Sequence, residues 1–248
     1  MKRISLICFM LISLWTKAQQ QKIDSVVTPQ HLTFKYQSLL IPAVLIGYGV
    51  IGLESHTLKN LNLTTRNEIN EHIDSNLTID DFSQYSSFVS VYTLNALGVK
   101  GKHNMRDRTI ILASAYLIMG GTVNIIKHSS TVERPDGSTT NSFPSGHTAT
   151  AFMGAEFLFQ EYKDISIWYG VAGYAIAAGT GAFRMYNNRH WLTDVAAGAG
   201  IGILSTKIAY WIYPGINNLL FKNKKTTAGV IFPYSNGKEH GVSLSVHF

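Results

Sequence analysis

The sequence predicts an all-α membrane helix bundle, and three observations carry that prediction. Hydrophobic residues make up 46% of the chain and charged residues only 15%, against about 25% charged in a typical soluble domain. Six apolar runs recur, at 38–53, 82–99, 109–126, 147–159, 165–183 and 195–213, most of them near the roughly 20 residues that a helix needs to cross a bilayer core. Many basic residues sit in the spacers between runs: Lys100, Lys102, Arg106 and Arg108 in one, Lys222, Lys224 and Lys225 in another. Membrane spans are flanked in this way.

Taken in order, residues 1–18 start with Lys2 and Arg3, continue through an apolar stretch and reach a small residue at Ala18. They read as a signal peptide or an N-terminal anchor. The single cysteine, Cys8, lies in this leader, so disulfides and thiolate chemistry are excluded from the rest of the chain. A membrane domain follows over 36–213. Its first apolar run is short and contains Pro42, so the bundle has five or six transmembrane helices. Ile69, Ile73 and Leu77, at spacings of four in a charged surround, predict an amphipathic helix at an interface. The last two runs are rich in small residues, "GYAIAAGTGA" and "AAGAGIGI", which permit close helix packing. The tail, 214–248, alternates around "SNGK" and predicts a short C-terminal β-hairpin.

The net charge of +6 invites a nucleic-acid reading, but the basic residues form no basic helix or arginine-rich tract. Nucleic acid is excluded as a partner, and no obligatory protein partner is evident.

Three polar constellations interrupt the apolar pattern, each at a helix end: Lys127, Arg134 and Pro135; Pro144 to His147, "PSGH"; and Arg184, His190 and Asp194. Singly, each has a structural explanation. Lys127 and Arg134 serve as interfacial basic residues, Ser145 as a helix cap, and His190 with Asp194 as a structural pair. Together they match what a phosphate ester needs. Lys127, Arg134 and Arg184 supply cations for a phosphoryl group whose charge is spread over three oxygens. The peptide N–H groups of Ser145, Gly146 and His147, opening a helix, add oriented donors and the positive dipole end. In a helix starting near His190, Asp194 lies one turn on, where it accepts the ring N–H and leaves the other nitrogen as a nucleophile. His147 is then the candidate acid for the leaving alkoxide and base for water.

These stretches resemble the signature of the type 2 phosphatidic acid phosphatase family, whose fold is shared with vanadium-dependent haloperoxidases and bacterial nonspecific acid phosphatases. The resemblance covers roughly 85–213 and implies a PAP2/haloperoxidase-like core. It also implies a phosphohistidine mechanism with His190 as nucleophile, Asp194 as its partner and His147 as acid and base. Lys127, Arg134, Ser145, Gly146 and Arg184 are then the phosphate-binding residues, with no metal and no cofactor. One position departs: the family often has serine before the third-motif arginine, where this chain has Phe183.

The expected function is a metal-independent membrane phosphatase acting on a phosphate monoester or diphosphate of a lipid, with lipid A favoured. Undecaprenyl diphosphate and phosphatidylglycerophosphate are alternatives, and a secreted nonspecific acid phosphatase is an alternative of another kind. Loop charges predict an inner-membrane protein with a periplasm-facing site. A cleaved leader followed by six crossings predicts the reverse side, a conflict that vanishes if the Pro42-containing run does not span or if the leader is not handled as a cleaved signal.

Overall fold

The computed structural model describes residues 35–70, 78–221, 228–235 and 240–247. The leader with Cys8, the lysines at 222, 224 and 225, and Ile73 and Leu77 of the expected amphipathic helix lie outside these residues. A 3-10 turn at Tyr36–Leu39 leads into α1 (Leu40–Ile51), α2 (His56–Asn70), α3 (Ile79–Ala96), α4 (Met105–Ser129), α5 (Gly146–Tyr162), α6 (Ile167–Tyr186) and α7 (Leu192–Phe221). The tail forms β1 (Ala228–Ser235) and β2 (His240–His247), paired antiparallel from Ala228 with His247 to Ser235 with His240, the hairpin expected around "SNGK".

Helix starts follow local chemistry. Asn104 caps α4 by accepting the Asp107 N–H at 2.9 Å, and Ser145 and Ser166 accept from Thr148 and Trp168 to cap α5 and α6. Pro42 falls in the first turn of α1, where its missing N–H breaks no helical bond. At twelve residues, α1 is about 18 Å long by helical rise, well short of a bilayer core.

The centre of the bundle is α5, which packs against α3, α4, α6 and α7 and is buried nearly all round. Its contact with α7 is backbone on backbone. A Cβ at Gly202 would lie 2.2 Å from the Ala149 carbonyl oxygen, and one at Gly198 2.5 Å from that of Ser145, so glycine is required at both positions. α1 lies along the other side of α7.

Outward faces are apolar. Leu117 and Ile125 on α4, Trp168 and Val171 on α6, and Leu40, Ile41 and Val44 on α1 are exposed, as helices facing lipid are. By length and composition, α4 and α7 are apolar enough to cross a membrane. The segments Tyr36–Ile51 and His56–Ile69 pass that test only as a pair, bent by 94° at the break. Among the described residues, these two or three segments are fewer than the five or six apolar runs counted in the sequence. Of the remaining helices, α5 is short for a span at 17 residues and also carries Glu156, Gln160 and Glu161.

Those polar residues face inward. Glu161 is buried and accepts from the His103 backbone N–H at 3.0 Å and the Tyr210 hydroxyl at 2.7 Å, with His103 Nδ1 at 2.7 Å and Arg108 Nη2 at 3.7 Å. Glu156 meets Lys207 and Gln160, each at 2.6 Å, and the Tyr174 hydroxyl. Arg108, expected among the loop charges, is therefore a fully buried helix residue bound to the His103 carbonyl. Among the described residues, the basic residues not buried at this end include Lys100, Lys102 and Arg106, with Lys163 after α5.

The helices alternate in direction, and this sorts their termini. The ends of α3 and α5 meet the start of α4 at one end: Tyr162 Oη donates to the Val99 carbonyl and the Lys102 N–H to the Glu161 carbonyl. The end of α7 is there too, with Arg106 stacked over Phe221 at 4.4 Å. The sequence constellations lie at the opposite end.

Removing one partner from a buried charge cluster leaves the others uncompensated. Glu161→Ala is therefore expected to destabilise the folded chain by about 3–5 kcal/mol, measured by thermal unfolding in detergent. A loss under about 1 kcal/mol, the size of an ordinary surface change, would show that the cluster contributes little.

Candidate active site

Four segments converge at this end. The first is the connection from α4 to α5, which the sequence folds into a small hairpin. Pro135 and Gly137 set a turn in which the Gly137 N–H donates to the Arg134 carbonyl at 2.9 Å, with Gly137 at φ +69°. The Arg134 N–H reaches the Thr139 carbonyl and the Ser142 N–H the Val132 carbonyl, both at 2.9 Å. This hairpin brings the first constellation onto the second. Lys127, in the last turn of α4, donates to the Asn141 carbonyl at 2.6 Å, while Arg134 Nε donates to the Asn141 side chain at 3.2 Å.

The second segment is the start of α5. Ser145 is fully buried, and its N–H donates to the Asp194 carbonyl at 3.0 Å. That donor, expected to face a ligand, is therefore occupied in joining α5 to α7. Gly146 and His147 lie in the first helical turn, where N–H groups have no intrahelical acceptor. The His147 ring is half-buried, with Nε2 2.9 Å from Asp81 Oδ1.

The third is the connection from α6 to α7. Asn188 takes φ 55°, a left-handed residue ending the helix, and the Arg189 N–H closes back on the Arg184 carbonyl. The chain reverses and His190 falls beside Asp194. α7 begins only at Leu192, so His190 precedes the helix and is not within its first turn as the sequence suggested. Asp194 Oδ2 accepts the Trp191 N–H at 2.9 Å, a capping-box contact, and the Ser142 hydroxyl at 2.5 Å. His190 Nδ1 lies 3.5 Å from Asp194 Oδ2 and 3.4 Å from Ser142 Oγ. The pair expected as a direct hydrogen bond is thus a long 3.5 Å contact in which Ser142 Oγ is a third partner to both groups, and Nδ1 faces them. Asp194 Oδ1 is buried without a partner.

The fourth segment, the start of α3, was missed in the sequence. Asp80 is buried and accepts from Arg184 Nη1 at 2.5 Å and from Asn187 at 3.1 Å, while Asp81 Oδ1 lies 3.8 Å from Arg184. In sequence the two aspartates read as ordinary acidic residues of a first helical turn, and nothing local signals their distant partners. Ser142, Asn141 and Arg189 were also missed. The last is bound to Asp136 at 3.1 Å.

A cavity of about 220 Å³ opens among these segments, walled by Arg134, Arg184, Arg189, His147, Asp80 and Asp81. Arg184 Nε is buried there without a hydrogen-bond partner. His190 lines a smaller recess beside it with Arg66, Pro135 and Trp191. Lys127, Arg134, His147, Arg184, His190 and Asp194 therefore all gather at one end. Electrostatics favour an anion and a neutral imidazole. Burial lowers the His190 pKa to about 4; Asp194 opposes this shift, and Lys127 and Arg184 add to it. Burial also lowers the Arg134 pKa, as does Arg184.

A helical bundle with apolar outer faces and a polar, arginine- and histidine-bearing cavity at one end has the architecture of a helical membrane protein. A family model of the PAP2 superfamily matches residues 108–217. It is 35% identical over 198 residues, 79% of this chain and 41% of the relative, to the lipid A 1-phosphatase of Porphyromonas gingivalis. It is 34% identical over 77 residues, 31% of this chain and 36% of the relative, to the bacitracin transport permease protein BcrC of Bacillus licheniformis. The chain thus spans about two fifths or less of the length of these relatives. Among solved structures, LpxE of Aquifex aeolicus is similar with a TM-score of 0.47 at 25% identity, covering 60% of this chain and 94% of that one.

The His190 titration tests the local electrostatics directly. Its ring is expected to protonate near pH 4, followed by NMR of the histidine-labelled chain. Asp194→Asn is expected to lower that midpoint further, because the group that favours the cation is lost. A midpoint near the ordinary value of about 6.5 would contradict the burial.

Proposed function

We propose that the chain is a membrane lipid phosphatase that cleaves a phosphate ester through a phosphohistidine at His190, with lipid A as the favoured substrate. The observation that carries this reading is the buried His190, Ser142 and Asp194 group set beside a cavity walled by Arg134, Arg184 and His147. With Nδ1 facing Asp194 and Ser142, Nε2 is the nitrogen left to attack. It forms a bond to phosphorus as the ester P–O bond breaks, and the leaving alkoxide takes a proton from His147. His147 then takes a proton from water, whose oxygen attacks phosphorus and frees His190 and phosphate.

Lys127, Arg134 and Arg184 hold the equatorial oxygens, with the Gly146 and His147 N–H groups as further donors. Ser145 acts through its cap and its bond to Asp194. Gathering the cations around the anion without a metal is consistent with this donor set. The similarity to a lipid A 1-phosphatase over 79% of this chain supports the choice of lipid A.

His190→Ala is expected to abolish turnover. Asp194→Asn is expected to reduce the rate by several orders of magnitude, as loss of a histidine's orienting partner does. Mass spectrometry of lipid A from cells with and without the chain identifies the substrate. Unchanged lipid A phosphorylation with intact hydrolysis of another lipid phosphate would move the assignment to that lipid.

The site is proposed to face the periplasm from the inner membrane. Lys100, Lys102 and Arg106 lie at the end opposite the site, where the positive-inside rule puts cytoplasm. The 94° bend after α1 supports a first segment that does not cross singly. A cysteine at Ser138 is expected to react with a membrane-impermeant thiol reagent in intact cells, and one at Lys100 to stay unlabelled. The reverse pattern would put the site in the cytoplasm.

A further inference from the structure

A second cavity, about 260 Å³, lies beside the site and is not part of the phosphate cradle. Its walls come from three places: Leu53 at the elbow after α1, Asn62 and Leu63 on α2, and Val132 and Trp191 from the two connections that bear the first and third constellations. The lining is apolar except at Lys59, an exposed cation of α2, and at Asn62 and Thr193, which bond to each other. Trp191 is held as a wall, because its indole N–H donates to the Glu133 carbonyl at 2.8 Å.

The cavity adjoins the recess of the proposed nucleophile. Trp191 and Asn62 line both it and the recess that contains His190. Trp191 also follows His190 directly in the chain.

The way α2 is fastened adds to this. It is a largely polar helix whose exposed Leu61 and Leu63 form no core. Its contacts to the rest are specific and polar. Asn62 Nδ2 donates to Thr193 Oγ1 at 2.9 Å while Asn62 Oδ1 accepts the Thr193 N–H at 3.3 Å, and Arg66 Nε donates to the Asn188 side chain at 3.1 Å. All three bonds end on residues within three positions of His190. A helix with little apolar packing of its own is thereby fixed over the segment that carries the nucleophile, and the space it encloses is greasy.

We propose that this cavity is the subsite for the hydrocarbon of the substrate, holding the first stretch of an alkyl or acyl chain while the phosphate lies in the cationic cavity. The inference rests on the phosphatase reading above and deepens it to an amphiphile recognised at two adjoining points. Its volume is below the roughly 300–1,000 Å³ of pockets that enclose whole small molecules, which suits part of a chain whose remainder stays in the bilayer. Lys59 at the rim complements the negative charge of such a substrate.

The test uses the purified full chain in mixed micelles with a series of alkyl phosphates from butyl to dodecyl, and p-nitrophenyl phosphate as the chainless ester. For the unmodified protein, kcat/KM is expected to rise along the series. Leu63→Trp, which fills the cavity, is expected to lower kcat/KM for dodecyl phosphate about tenfold more than for p-nitrophenyl phosphate, through KM. Leu61→Trp, on the same helix but outside the cavity, is expected to leave the series as it is. An equal fall on both esters with Leu63→Trp, an unchanged rise, or the same selective loss with Leu61→Trp would each overturn the subsite. Hydrolysis of lipid A but of none of these esters would also overturn the subsite, whereas hydrolysis of neither would overturn the phosphatase reading on which it rests.

Discussion

The contact between α5 and α7 is limited by backbone atoms, since nothing larger than hydrogen fits at Gly198 and Gly202. That limit allows the Ser145 N–H to reach the Asp194 carbonyl, so the start of α5 and the first turn of α7 become one rigid unit. His147 is carried by the first and Asp194 by the second, and the hairpin from α4 drops Ser142 onto the Asp194 carboxylate. A catalytic constellation needs placement within a fraction of an ångström. Here that precision comes from helix packing, with the side chains following.

The polar residues of the bundle are distributed to serve the same end. Burying Glu156 and Glu161 without partners would be prohibitive, and each is matched by a cation, Lys207 or Arg108, and by a tyrosine hydroxyl from a different helix. These bonds tie α5 to α4, α6 and α7 at the end away from the site. The site end is then left free to be built from loops and first turns, where irregular backbone and unpaired N–H groups can meet a ligand.

Much of this was legible in sequence because the signals are local. Apolar runs locate α3 to α7, "PSGH" marks a helix start, and the spacing from Arg184 to His190 to Asp194 places three groups together. What was not legible depends on long-range pairing. Asp80 and Asp81 are more than a hundred residues from Arg184, and their local pattern has a sufficient explanation in helix capping. Arg108 looked like a loop charge because its partners, His103 and Glu161, emerge only when α4 and α5 are packed. The direct hydrogen bond expected between His190 and Asp194 assumed one continuous helix. The turn at Asn188 and the late start of α7 replaced it with a three-way contact through Ser142.

The aspartates of α3 look misplaced in a site read as binding phosphate, and their geometry explains them. An empty cavity with Arg134, Arg184 and Arg189 on its walls would leave buried Arg184 uncompensated, so Asp80, itself buried, accepts from Nη1. Asp81 is more exposed and divided, nearer to His147 at 2.9 Å than to Arg184 at 3.8 Å. Its weaker hold on the arginine is the one an incoming dianion can displace or share. Arg184 Nε meanwhile stays buried and unbonded, so one donor of the guanidinium is available without breaking the Asp80 pair. Arg184 is thus anchored to the fold through α3 by Nη1 while its buried Nε remains without a hydrogen-bond partner. The cation is held in place before any phosphate arrives, which is the condition for electrostatic stabilisation that requires no reorganisation during reaction.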